Sequence, residues 1–175
     1  MRGLGQNEPQ AAAECFCGFD NGRAGNHELE VTVVFTTDRG TLAALRAAAG
    51  LARELDAWVR FLVPQIVPFP LELETPPVSV AFSQHRVRGM ALACRGVADV
   101  RVEVCLCRDK ERMLSQTLKP RSLVVVGGRR RWWRSPEQKL VRMLEGRGHG
   151  VVFADEEAAA DWAGFVESAD GIGRS

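Results

Sequence analysis

The chain has 175 residues and a mass of 19.2 kDa, the size of one ordinary domain with a single core. Its 46% hydrophobic and 26% charged residues exclude collagen-like, coiled-coil and wholly disordered classes. The net charge of +1 provides no overall field toward nucleic acid or anionic membrane, so any such partner must be held locally. Apolar runs fall short of the roughly 18 to 20 residues that span a bilayer, and Met1 to Asn7 carries no apolar leader core, which gives a cytoplasmic expectation with no membrane partner.

Residues 1–29 mix Gly, Gln, Asn, Glu and Ala without a period and contain the turn sequences Asp20-Asn21-Gly22 and Gly25-Asn26. They read as a disordered or loosely attached arm. The folded domain is expected over 30–154. It opens with Val31 to Thr36, apolar and β-branched enough for a strand covered on both faces, followed by a short capping loop and a helix marked by Leu42, Leu45, Ala48, Ala52 and Leu55. In that loop Asp38 is a candidate cap for the helix. A second strand runs from Trp58 to Val63 and is expected to stop at Pro64. The second helix covers roughly 77–95, with Val78, Phe82, His85, Gly89 and Leu92 near one face.

Val100, Val102, Val104 and Leu106 alternate with Arg101, Glu103, Cys105 and Cys107, the pattern of an edge strand. A short helix from Lys110 to Leu118 precedes a solidly apolar fourth strand, Ser122 to Val126, which ends at Gly127-Gly128. Beyond the basic, aromatic loop 129–134, Ser135-Pro136-Glu137 reads as an N-cap with Pro at the first helical position. The fifth strand is Val151 to Ala154, and residues 155–175 read as an acidic C-terminal helix and tail. Five cysteines (15, 17, 94, 105 and 107) are an odd number, and two Cys-x-Cys pairs do not have the usual zinc spacing, so all five are expected reduced and metal-free.

The alternation of strands and helices implies a doubly wound α/β domain: a five-stranded parallel sheet with helices on both faces. With strand order 3-2-1-4-5, the ligand crevice lies between strands one and four, where Asp38 faces Gly127. Within 30–154 the chain resembles the universal stress protein family of adenine-nucleotide-binding α/β folds. Val33 to Asp38 with the Ala/Leu-rich first helix is similar to that family's opening unit, and Val124 to Gly127 to its fourth strand and first phosphate-loop glycine. The resemblance implies an adenine-side role for Asp38 and a homodimer.

The ATP-binding branch of that family carries Gly-x2-Gly-x9-Gly-Ser/Thr, whose amides and hydroxyl hold phosphate. Here Gly127 matches the first glycine, Arg130 occupies the second position, and Ser135 follows Arg134 rather than Gly. The candidate ligand residues are therefore Asp38, Gly127, Gly128, Arg130 and Ser135, with weak or lost affinity for ATP or another adenine nucleotide.

Across 129–150 seven basic residues stand against Glu137 and Glu145, while 155–175 carries six acidic residues against Arg174. The two segments either neutralise each other or leave the loop Arg129 to Arg134, with Trp132 and Trp133, to grip phosphates and stack on bases. His27, His85 and His149 have no catalytic partner at a recognisable spacing, so no catalytic residue and no metal ligand is assigned. The first functional expectation is a non-enzymatic regulatory protein acting through dimerisation or a protein partner. The alternative is a nucleic-acid or nucleotide-phosphate binder using loop 129–134.

Overall fold

A computed structural model describes the backbone of residues 13–20 and residues 28–92, 98–130 and 135–157 in full. The elements are β1 (Ala13–Asp20), β2 (Leu29–Val34), α1 (Asp38–Leu55), β3 (Ala57–Ile66), α2 (Val80–Leu92), β4 (Val100–Cys107), α3 (Lys110–Thr117), β5 (Leu123–Gly128), α4 (Pro136–Gly146) and β6 (Gly150–Asp155). The five strands β2 to β6 form the doubly wound parallel sheet in the order β4-β3-β2-β5-β6, which is the expected 3-2-1-4-5 arrangement.

The core divides by face. Val31, Val33, Val59 and Phe61 pack with α1 (Ala44, Leu45, Ala48) and with Val87 and Ala91 of α2. Val34, Leu62, Val124 and Val126 pack on the other face with Met113 and Leu114 of α3 and Leu140 and Leu144 of α4. Consecutive β2 side chains thus enter different cores, which is why the strand reads as continuously apolar rather than alternating. The chain winds to one face after β2 and to the other after β5, and these two strands are hydrogen-bonded neighbours. No helix among the described residues is long and apolar enough to cross a membrane.

Five expectations are corrected. First, part of the 1–29 arm is ordered: Ala13–Asp20 adds an antiparallel strand to β4, with a register shift between Cys17 and Phe19. The remainder of that arm lies outside the described residues, as does the acidic C-terminal segment beyond Glu157. Second, β4 is therefore not an edge. Its charged side is buried, because Glu103 receives Arg60 Nε and Nη2 at 2.9 and 2.6 Å and Arg101 lies over the Trp58 ring. Paired charges let a strand with an edge-like pattern be covered on both sides.

Third, β3 continues through Pro64 to Ile66. The Val59 amide donates to Asp99 O, so odd-numbered amides of β3 face β4 and even-numbered ones face β2. The β2 ladder has already ended at Val34, opposite Leu62, so the missing N–H of Pro64 leaves no ladder bond unmade. Fourth, Cys105 is disulfide-bonded, contrary to a wholly reduced set, and the residue opposite it in the β1 ladder is Cys15. Cys107 is a buried free thiol. Fifth, helix α2 turns a different face inward: Val87 and Ala91 are buried, whereas Val78 and Phe82 are exposed.

The first turn of α1 meets the end of β5 backbone to backbone. A Cβ on Gly127 would lie 1.7 Å from Gly40 O, and a Cβ on Gly40 would lie 2.6 Å from Gly127 O. Neither obstacle is a flexible side chain, so the clash can be relieved only by separating α1 from the sheet. Gly127→Ala should destabilise the protein by about 3 kcal/mol, the upper range for overpacking. Urea unfolding checks this, and a wild-type midpoint would contradict it.

Candidate functional site

The crevice at the carboxyl ends of β2 and β5 is built by three threonines. Thr37, extended at the N-cap of α1, accepts the Gly40 amide on Oγ1 at 3.1 Å. Buried Thr41 accepts the Thr36 amide at 3.1 Å, and Thr36 Oγ1 donates to Gly127 O at 2.7 Å. These bonds tie the β2–α1 turn to the end of β5 and use the hydroxyls that a ligand would otherwise meet. The cap is thus Thr37, and Asp38 is the first helical residue.

Asp38 lies beside a cleft of about 440 Å³ lined also by Phe35, Thr36, Arg39, Arg86 and Glu156. Its Oδ1 accepts from Arg86 Nη2 at 2.7 Å, and the same guanidinium stands 5.7 Å from the centroid of the Phe35 ring. Both charged side chains are about half exposed, 55% for Asp38 and 54% for Arg86, so the pair adds little stability. Its relevance is to ligands, because the carboxylate suited to a base or sugar donor already holds a cation.

On the opposite wall, a Cβ on Gly128 would come within 2.8 Å of Glu137 Cγ. Glu137 belongs to the first turn of α4, where a carboxylate is favoured by the helix dipole. That position at a strand end and a helix N-terminus is where an anion would otherwise be held, and here the chain's own side chain lies across it. Lys110, first residue of α3, donates from Nζ to Phe35 O at 3.2 Å. Burial pushes its pKa down, and Glu137 partly offsets that shift.

The expected site residues divide between two places. Asp38, Gly127 and Gly128 belong to the crevice region. Arg130 instead lines a cleft with Val141, Arg142 and Phe153, and Ser135 lines another with Pro136, Lys139 and Arg142. Ser135 Oγ caps α4 by accepting the Gln138 amide at 3.2 Å. The rest of the loop, Arg131 to Arg134, lies outside the described residues. Sequence reasoning missed Arg86, Lys110 and Glu137 as crevice residues. Glu137 was legible as a first-turn acid, but Arg86 reaches Asp38 only through the packing of α2.

The Lys110 shift has a definite sign. Its folded-state pKa is below the ordinary lysine value of 10.5, so between the two the unfolded chain binds more protons and stability rises with pH. Cys107, pushed up mainly by burial and next by Asp109, contributes the opposite slope through the thiol range. In a Cys107→Ala background, Lys110→Met should abolish the alkaline rise seen by urea unfolding, and an unchanged slope would contradict this.

No family model matches the chain, and no curated protein matches it. Among solved structures it is similar to a crystal structure of a universal stress protein in complex with cAMP, at 13% identity and a TM-score of 0.47, over 73% of this chain and 97% of that one.

Proposed function

We propose that this chain is a non-enzymatic regulatory protein of the universal stress type, acting through self-association or a protein partner. Its adenine-nucleotide site is degenerate and keeps at most weak affinity. The observation that carries the reading is the internal use of the crevice: Arg86 holds Asp38, while Glu137 lies against Gly128. The doubly wound sheet and the residues by which the sequence resembles that family support it. A nucleotide would have to break an ion pair at its base end and displace a carboxylate at its phosphate end, each a cost that a glycine-rich loop does not impose.

Thermal denaturation with ATP and with adenosine tests the affinity. At about 1 mM ligand, a micromolar site adds about 4 kcal/mol of stability and a millimolar site about 0.4 kcal/mol. For a chain of this size those figures correspond to roughly 10 °C against roughly 1 °C in Tm. The smaller shift is expected, and the larger would refute a degenerate site.

Self-association is assigned to β6. This strand ends the sheet, and its Val151, Val152 and Phe153 remain partly exposed, which is a liability unless the edge is paired or covered. The Gly150 amide donates to Ser122 O, so even-numbered amides of β6 face β5 and the Val151 amide faces outward. Val151→Pro would therefore remove an edge donor and spare the β5 ladder. Sedimentation at tens of micromolar should show a dimer for the wild type and a monomer for Val151→Pro with unchanged circular dichroism. A wild-type monomer would overturn the assignment.

A further inference from the structure

The strongest unassigned surface lies along α4, in two clefts that share no described lining residue with the cleft beside Asp38. Its two clefts, of about 380 and 390 Å³, are both lined by Arg142. Lys139 and Pro136 border one, while Arg130, Val141 and Phe153 border the other. Among the described residues, no carboxylate pairs with Arg130 or Arg142. The Arg142 Nε bonds only the Gln138 carbonyl of its own helix, at 3.4 Å.

The neighbouring acids are engaged elsewhere. Glu111 pairs with Lys139 at 3.3 Å, Glu156 pairs with Arg129, and Glu137 turns toward Gly128. Two unpaired guanidinium groups therefore stand beside an apolar, aromatic floor on a chain whose overall charge is only +1. Unpaired arginines on a surface attract anions, and a guanidinium grips phosphate oxygens in a bidentate fork. The Phe153 ring, lining the same cleft as both cations, supplies what a base needs for stacking.

We propose that this surface binds a single-stranded nucleic acid, with Arg130 and Arg142 on phosphates and Phe153 under a base. The proposal goes beyond the degenerate crevice and does not depend on it, because it uses none of the crevice residues. It is also compatible with an edge-paired β6: pairing would use backbone donors and acceptors, whereas this surface uses side chains on the α4 face.

Fluorescence anisotropy with a labelled oligouridylate of about a dozen nucleotides provides the test, with salt titrated upward. Two phosphate contacts to a single strand predict a slope of log K against log salt of about −1.4, at about −0.7 per contact. Arg142→Ala and Arg130→Ala should each weaken binding and flatten the slope by about 0.7. Phe153→Ala should weaken binding about fivefold or more with the slope kept, the signature of lost stacking rather than lost charge. Asp38→Ala should change neither quantity, which separates this surface from the crevice.

The arginines are exposed, so their replacement should leave the melting temperature near wild type. An Arg130→Ala/Arg142→Ala variant that melts normally but binds the oligonucleotide with unchanged slope would overturn the proposal. So would absence of binding at low salt, or equal binding to phosphatidylserine vesicles with the same dependence on these arginines.

Discussion

The contact between Gly40 and Gly127 governs the arrangement of everything at the carboxyl end of the sheet. Because neither residue has a side chain, α1 descends onto β5 until backbone meets backbone. That approach brings Thr36 within hydrogen-bonding distance of Gly127 O and draws the β2–α1 turn tightly over the switch point. In a doubly wound sheet this is the place where a ligand is ordinarily admitted. Here Glu137 lies against Gly128 and Arg86 holds Asp38.

A second constraint acts at the other side of the sheet. Arg60 reaches Glu103 at 2.6 Å and Glu30 at 3.5 Å, while Lys119 approaches Glu30 at 3.2 Å, so three neighbouring strands are linked by charge at nearly buried positions. Arg60 Nη1 also donates to Thr117 O at the end of α3. Such a network contributes little net stability over well-packed apolar residues, but loss of one member strands the others. It also fixes register, because a one-residue slip would place Arg60 on the α1 face against alanines. Strand β1 extends this side of the sheet, and the disulfide-bonded Cys105 sits within its ladder with β4.

The fold was legible wherever one physical signal dominated. Unbroken β-branched runs marked β2 and β5, and Ser135-Pro136 marked the start of α4 with its cap. Signals failed where two elements had to be known together. Glu103 looked solvent-facing until Arg60, 43 residues away in sequence, supplied its partner. Pro64 looked like a strand end because its tolerance depends on where β2 stops. Ala13–Asp20 carries no alternating pattern, and its strand character comes from the exposed ladder of β4 rather than from its own residues. In the crevice, Asp38 was visible as a candidate acceptor, but its engagement by Arg86 belongs to α2 packing and has no local sequence mark.

In the function proposed above, Arg86 and Glu137, rather than a wrong shape, keep a nucleotide out of the crevice. Equilibrium dialysis of ATP against the wild type and an Arg86→Ala/Glu137→Ala variant tests it most directly. Freeing Asp38 and uncovering Gly128 should raise ATP affinity by tenfold or more, about 1.4 kcal/mol, with the fold intact. Tight binding by the wild type, or no gain in a folded double variant, would overturn that role for the two side chains.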